Sequence, residues 1–323
     1  MKSTAYHRFL GVVLVVIVAA VLFFTGLFNL GGGRTPYFSE APVPKGVNWY
    51  VDLQWGMTEA HYHVLYRGFG PSIENARKAD VLLLGDSRAM LGYDWRQIEA
   101  FAEAEGITLF NLGIDGGTGW EFPLEIMKRH GVKPKAVVIL PDFISSPIFP
   151  AAKDALDGTL LSSFKYVLSS ETLWRIKSTL DRYCPYLLKL FFQKNSNLAT
   201  YRSTTNGCWF RDGWIDEPHY PVPIPDGSGD DKEIPSKLMS YLSASNIAVA
   251  VTYFASDNGT LTLGDRLAKR MGGEGIPIRV DGLSTYDQVH LDKAGSELYT
   301  KRFLEVFKQT NIYKSLVKAH SLH

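Results

Sequence analysis

The chain has 323 residues, 46% hydrophobic and 21% charged, the composition of a globular protein long enough for one large domain or two small ones. Its 34 basic and 33 acidic residues leave a formal charge of +1, with the basic residues scattered rather than blocked. That excludes the electrostatic footprint of a nucleic-acid binder.

From Phe9 to Leu30 the sequence FLGVVLVVIVAAVLFFTGLFNL carries no charge over 22 residues. At about 1.5 Å per residue such a helix covers a hydrocarbon core of about 30 Å, so the segment predicts a transmembrane helix. A cleaved signal peptide has a shorter apolar core, about 7–15 residues, followed by a small-x-small site that is not clean here, which favours a retained anchor. Lys2 and Arg8 precede the span and place the N-terminus in the cytoplasm and the rest outside it. Residues 1–30 are therefore read as cytoplasmic stub and anchor, and residues 31–79 as a Gly- and Pro-containing tether with a lead-in segment packed on the main domain.

From Asp80 the pattern becomes regular. Buried strands are predicted at Asp80–Leu84, Ile107–Leu112 and Ala136–Leu140, and helices at Asp94–Glu105, with apolar Trp95, Ile98, Phe101 and Ala102, and at Trp120–His130. A long insertion, residues 143–232, follows the third strand; within it Glu171–Gln193 has helical character but contains Pro185. The alternation resumes with a helix at Ile234–Ala244, a strand at Ile247–Phe254, a helix at Leu263–Met271, a short strand at Pro277–Val280 and a closing helix at Asp292–Gln309. Residues 80–314 form the main domain and 315–323 a C-terminal tail. Such alternation predicts an α/β fold with a parallel sheet of about five strands covered on both faces, because parallel strands need crossovers. In open sheets of this kind, sites form beyond the carboxyl ends of the strands.

Three motifs fall at those ends. Val81-Leu82-Leu83-Leu84 runs into Gly85-Asp86-Ser87, which puts a serine at the top of the first strand. Asn111-Leu112-Gly113-Ile114-Asp115-Gly116-Gly117 follows the second, with glycines that let backbone N–H groups turn toward an oxyanion. Asp287-Gln288-Val289-His290 precedes the closing helix, and a carboxylate three residues before a histidine can orient the ring as a base for the serine.

These blocks resemble the SGNH or GDSL hydrolases: Gly85-Asp86-Ser87, Asn111-x-Gly113-x-x-Gly116, and Asp287-x-x-His290 followed by Leu291-Asp292-x-x-Gly295. The resemblance covers Asp80–Asp142 and Ile247–Phe307 in blocks. It implies a flavodoxin-like three-layer fold, Ser87 as nucleophile, His290 as general base and acid, Asp287 as its orienter, and the N–H groups of Ser87 and Gly116 as oxyanion donors. The third block departs from the family: Leu140-Pro141-Asp142-Phe143 stands where an Asn would supply a further donor. Asp142 is read as a cap or as a substrate contact.

Around these residues several roles stay open. Arg88 is a candidate substrate contact or a partner of Asp86. Trp209, Phe210 and Trp214 fit either stacking on sugar faces or a small core of the insertion. Cys184 and Cys208 are compatible with a disulfide or with two buried thiols. His61 and His63 suggest a metal pair, but no third ligand stands near them, and surface or packing roles are expected for them and for His130 and His219; His320 and His323 belong to the tail. Neither metal nor cofactor is expected.

The reaction class implied is serine acyl transfer. The anchored, outward-facing layout is similar to that of accessory proteins of alginate acetylation and teichoic-acid D-alanylation, which work with a multispanning membrane acyltransferase. It implies an O-acyltransferase or O-acetylesterase that takes an acyl donor and an envelope or secreted polysaccharide. The alternatives are an esterase or lipase acting on small acyl esters, and a catalytically silent scaffold or glycan-binding protein.

Overall fold

The structure, a computed structural model, describes residues 49–53, 60–114, 118–141, 144, 148–168, 199–211, 220–222, 233–254 and 258–321. The predicted transmembrane helix lies outside them; among the described residues no helix is long and apolar enough to cross a membrane. The lead-in segment contributes strand β1 (Trp49–Leu53) and helices α1 (Ala60–Arg67) and α2 (Ser72–Lys78). Strand β2 (Val81–Leu84) then opens the main alternation: α3 (Ser87–Gly92), α4 (Trp95–Glu105), β3 (Leu109–Asn111), α5 (Glu121–His130) and β4 (Ala136–Ile139).

The insertion supplies α6 (Pro150–Asp157), a helix over 160–168, and strands β5 (Ala199–Ser203), β6 (Trp209–Arg211) and β7 (Tyr220–Pro221). After it come α7 (Ser236–Ala244), β8 (Ala248–Thr252), α8 (Asn258–Arg270), β9 (Glu274–Ile276), β10 (Ser284–Thr285), α9 (Lys293–Phe307) and α10 (Asn311–His320).

Five strands make one parallel sheet in the order β3-β2-β4-β8-β9. Counted within the sheet this is 2-1-3-4-5, the order of flavodoxin-like doubly wound sheets, with β2 at the point where the winding reverses. The aliphatic run of β2 is buried on both faces: Val81 and Leu83 enter one core with α3, α4, α9 and α10, and Leu82 and Leu84 enter the other with α1, α2, α5, α7 and α8. Full burial of each such side chain is worth about 1.5–3 kcal/mol, so these four residues fix the strand without any polar alternation.

Helix α4 shows how local chemistry sets an element. Asp94 accepts the Gln97 N–H at its start, Trp95, Ile98 and Phe101 form the buried face, and Gly106 ends it at φ 68°.

Two predicted elements change. The last strand of the sheet is Glu274–Ile276 rather than Pro277–Val280, because Pro277 has no N–H to continue the ladder with β8. The predicted tail is largely helical: α10 runs to His320, with Thr310 accepting the Tyr313 N–H and Glu274 accepting those of Asn311 and Ile312. Ile312 and Leu316 seat it on the core, and His320 Nε2 lies 3.0 Å from Asp80 Oδ1.

The insertion builds sheets with segments from outside it. Strands β1, β5 and β6 form a separate antiparallel sheet, and β7 pairs with β10. His61 and His63 are packing residues, fully buried, with His63 Nδ1 3.0 Å from Ser163 Oγ and its ring stacked on Tyr166. Cys208 is a buried free thiol, so the disulfide alternative falls; Cys184 lies outside the described residues.

Candidate active site

Ser87 is the first residue of α3, directly beyond the carboxyl end of β2. Asp86 caps that helix, its Oδ1 accepting the Arg88 N–H at 2.9 Å. Gly85 is required by close approach: a Cβ there would lie 2.5 Å from Ala89 Cβ and 3.1 Å from Leu140 Cβ. Helix α3 can thus leave β2 in a sharp turn that sets the serine just beyond the carboxyl end of the strand, where it is largely buried, 8% exposed.

His290 arrives from the other end of the chain on a hairpin. Its stem is held by Tyr286 N–H to His290 O at 3.1 Å and Asp292 N–H to Ser284 O at 3.1 Å, and β10 is held in turn by β7. At the tip Gln288 takes φ 69°, a left-handed conformation that costs a non-glycine residue about 1–2 kcal/mol. That turn lets Asp287 Oδ1 accept the N–H groups of Val289 at 3.0 Å and His290 at 2.8 Å. Asp292 then caps α9 through the Gly295 N–H at 2.7 Å, and a Cβ on Gly295 would lie 2.4 Å from Ser284 O. The motif Leu291-Asp292-x-x-Gly295 is therefore the seat on which the hairpin closes.

Helix α9 registers the two halves. Thr300 Oγ1 accepts the Asp94 N–H at 2.8 Å, just after α3 ends, so the helix that follows His290 is bonded to the segment that follows Ser87.

The three predicted side chains meet. His290 Nε2 is 2.7 Å from Ser87 Oγ, and His290 Nδ1 is 2.7 Å from Asp287 Oδ2. Burial raises the Asp287 carboxyl, but hydrogen bonds from the His290 ring and from the backbone N–H groups of His290 and Val289 outweigh it and hold the pKa down at about 2. An ionised carboxylate can only accept, so in the neutral ring Nδ1 carries the hydrogen, Nε2 presents a lone pair, and the serine hydroxyl donates to it. Tyr286 stacks on the imidazole, centroids 5.7 Å apart and planes within 15°. This is the geometry of an activated nucleophile with an oriented base.

At the oxyanion side, no acceptor among the described residues takes the Ser87 N–H, a first-turn donor of α3. Gly113 is no such donor, since its N–H goes to Asn111 Oδ1 at 2.8 Å. Gly116, Asp142 and Trp214 lie outside the described residues. Trp209 corrects an expectation: it is 1% exposed, inside the core under the Arg202 guanidinium, and no sugar can stack on it. Together with Tyr201 of β5 and Cys208 it belongs to the core that holds Val81 and Leu83.

What the sequence reading missed is Asn111 as a bracket. Its side chain donates to Ala89 O at 2.9 Å and Met90 O at 3.4 Å, tying the end of β3 to the nucleophile helix. The signal was its place in the Asn-x-Gly block. Comparison with protein-family models finds no match, and comparison with curated proteins finds none either.

Proposed function

We propose that the chain is a serine-dependent acyl-transfer enzyme of SGNH type. The observation that carries this is the continuous relay Ser87 Oγ, His290 Nε2, His290 Nδ1, Asp287 Oδ2, both links at 2.7 Å. In the reaction Ser87 Oγ attacks the ester carbonyl as its proton passes to Nε2, and the Ser87 N–H, with the resemblance's Gly116 N–H, holds the oxyanion. Collapse breaks the bond to the leaving alkoxide, which takes the proton from the imidazolium and leaves an acyl-serine. Water or an acceptor hydroxyl then gives its proton to Nε2, attacks the acyl carbon and restores Ser87.

The extracytoplasmic, membrane-anchored layout read from the sequence favours a polymer acceptor. Our proposal is an O-acyltransferase or O-acetylesterase acting on an envelope or secreted polysaccharide, beside a multispanning membrane acyltransferase. With Asp142 in place of the third-block Asn, whose side chain would be the third donor, the oxyanion either works with two backbone donors or borrows a third from elsewhere. One missing donor typically costs on the order of 10²–10³ in rate, so slow turnover is expected.

The test uses the full-length chain in detergent with a fluorophosphonate probe and an aryl acetate, beside Ser87→Ala. Labelling of the parent and none of the variant is expected; equal labelling of both would remove the enzyme reading and leave a scaffold. Adding an acetylated donor and a glycan acceptor then separates acylated glycan, the transferase product, from free acid.

A further inference from the structure

We infer that Arg202 is a positioning residue for the nucleophile, acting from the insertion through Asn111. The inference rests on the acyl-transfer reading above and assigns that site a support outside its three reacting side chains.

Arg202 lies on β5 and is 0% exposed. Among the described residues it has no ion pair. Its Nε donates to Gly207 O at 3.0 Å, its Nη2 donates to Asn111 O at 2.5 Å, its Cζ sits 5.2 Å from the Trp209 ring centroid, and its Nη1 has no partner. A buried guanidinium without a counter-charge is costly, and an apolar side chain of similar volume would fill the same space without that cost. Local rules are broken in this way chiefly where a site needs the broken arrangement.

The need is visible at Asn111, the last residue of the edge strand β3. Its N–H goes to Asn206 O at 2.7 Å and its C=O accepts from Arg202, so β5 and the β5–β6 connection hold the peptide units on either side of its Cα. With the backbone clamped, the side chain has one reach. Nδ2 closes on the carbonyls of Ala89 and Met90, which a six-residue helix leaves without intrahelical partners, and Oδ1 takes the Gly113 N–H. Ala89 and Met90 follow Ser87 in α3, and Gly113 begins the loop that leads to Gly116. One asparagine, whose carbonyl Arg202 holds, therefore ties the nucleophile helix to the start of the loop after β3.

The signature of this role is a rate loss within the folded state. Arg202→Met removes a buried charge but leaves the Asn111 and Gly207 carbonyls without their donor, so some stability is lost as well, and Asn111, which brackets α3, loses its clamp. A displacement of the reacting group by about 1 Å can cost up to about a hundredfold in rate. In the full-length chain, Arg202→Met is expected to lower kcat for an aryl acetate about ten- to a hundredfold with KM within twofold, at a temperature where the variant is fully folded. Hydrogen exchange in the peptide 85–93 should rise, and Arg202→Lys, which retains a cationic donor, should recover part of the rate. A rate lowered only in proportion to the unfolded fraction, with unchanged exchange across 85–93, overturns the inference. Should the parent protein fail to label at Ser87, the acyl-transfer reading falls by itself, and the exchange of 85–93 in Arg202→Met still decides whether Arg202 holds α3.

Discussion

His290 can accept a proton from Ser87 because Asp287 is ionised and takes the hydrogen on Nδ1. In Asp287→Asn the amide NH₂ can face Nδ1 instead, which moves the ring hydrogen to Nε2 and points a donor at a donor. The fluorophosphonate labelling rate of that variant is expected to fall by about 10³–10⁴, in the manner of other triads, with the fold intact by circular dichroism. The same carboxylate has a stability signature. Its folded pKa is depressed from 3.8 to about 2, so its contribution is present above pH about 4 and is lost as pH falls from about 4 through about 2. Urea midpoints of parent and Asp287→Asn should differ at pH 5 and converge by about pH 2. A gap that persists at pH 2 would mean that the Asp287 hydrogen bonds are not what depresses its pKa. Since its side chain is 38% exposed, solvent screens the effect and the gap will be small.

At the scale of elements, the seat of the catalytic hairpin is a steric argument. Gly295→Ala would place a Cβ 2.4 Å from Ser284 O, a backbone atom that moves only if the hairpin moves. Overpacking of this kind costs about 1–3 kcal/mol, and the displaced His290 should lower the labelling rate at least about tenfold, more than unfolding alone accounts for at a permissive temperature. An unchanged rate would show that the hairpin tip is set by β7 rather than by α9. The first four sheet strands and the residues of the proposed relay were legible because each lies in a short contiguous pattern: an apolar run, a Gly-Asp-Ser, an Asp-x-x-His; the short fifth strand, Glu274–Ile276, has no such run. The insertion's β5–β6 hairpin was not legible, since its buried members include Arg202, Asn206 and Thr204, which composition assigns to surface. A local signal existed in Asn206-Gly207, a strong turn pair, and Gly207 does take φ 69°. Helix α10 was hidden by its length and its Lys and His content; the Thr310 cap ahead of Ile312 and Leu316 marked it.

Across the whole molecule, the proposed chemistry and a buried polar knot lie at opposite ends of β2. Ser87 lies beyond its carboxyl end, whereas Asp80 at its amino end gathers three elements. Asp80 Oδ1 meets Lys135 Nζ at 2.9 Å and His320 Nε2 at 3.0 Å, and Oδ2 accepts Thr108 N–H at 2.9 Å and Oγ1–H at 3.0 Å. Burial raises this carboxyl, but the Thr108 N–H, Lys135, His320 and the Thr108 hydroxyl together hold it below its ordinary value. A depressed carboxylate stabilises the fold above its unfolded pKa and loses that contribution as pH falls through the folded one, so the knot loosens only in strong acid. Asp80→Asn keeps the shape but removes the charge from a side chain only 10% exposed. Charge-assisted hydrogen bonds are worth about 1.5–3 kcal/mol, and a stability loss of about that size is expected at pH 7 in urea titration. The labelling rate at Ser87 per folded molecule should remain within about twofold, because the relay depends on α3, α9 and the β10 hairpin and none of these touches Asp80. A parallel fall in both quantities would mean that strain at the amino end of β2 travels along the strand to the nucleophile, and that the two ends of the sheet form one unit.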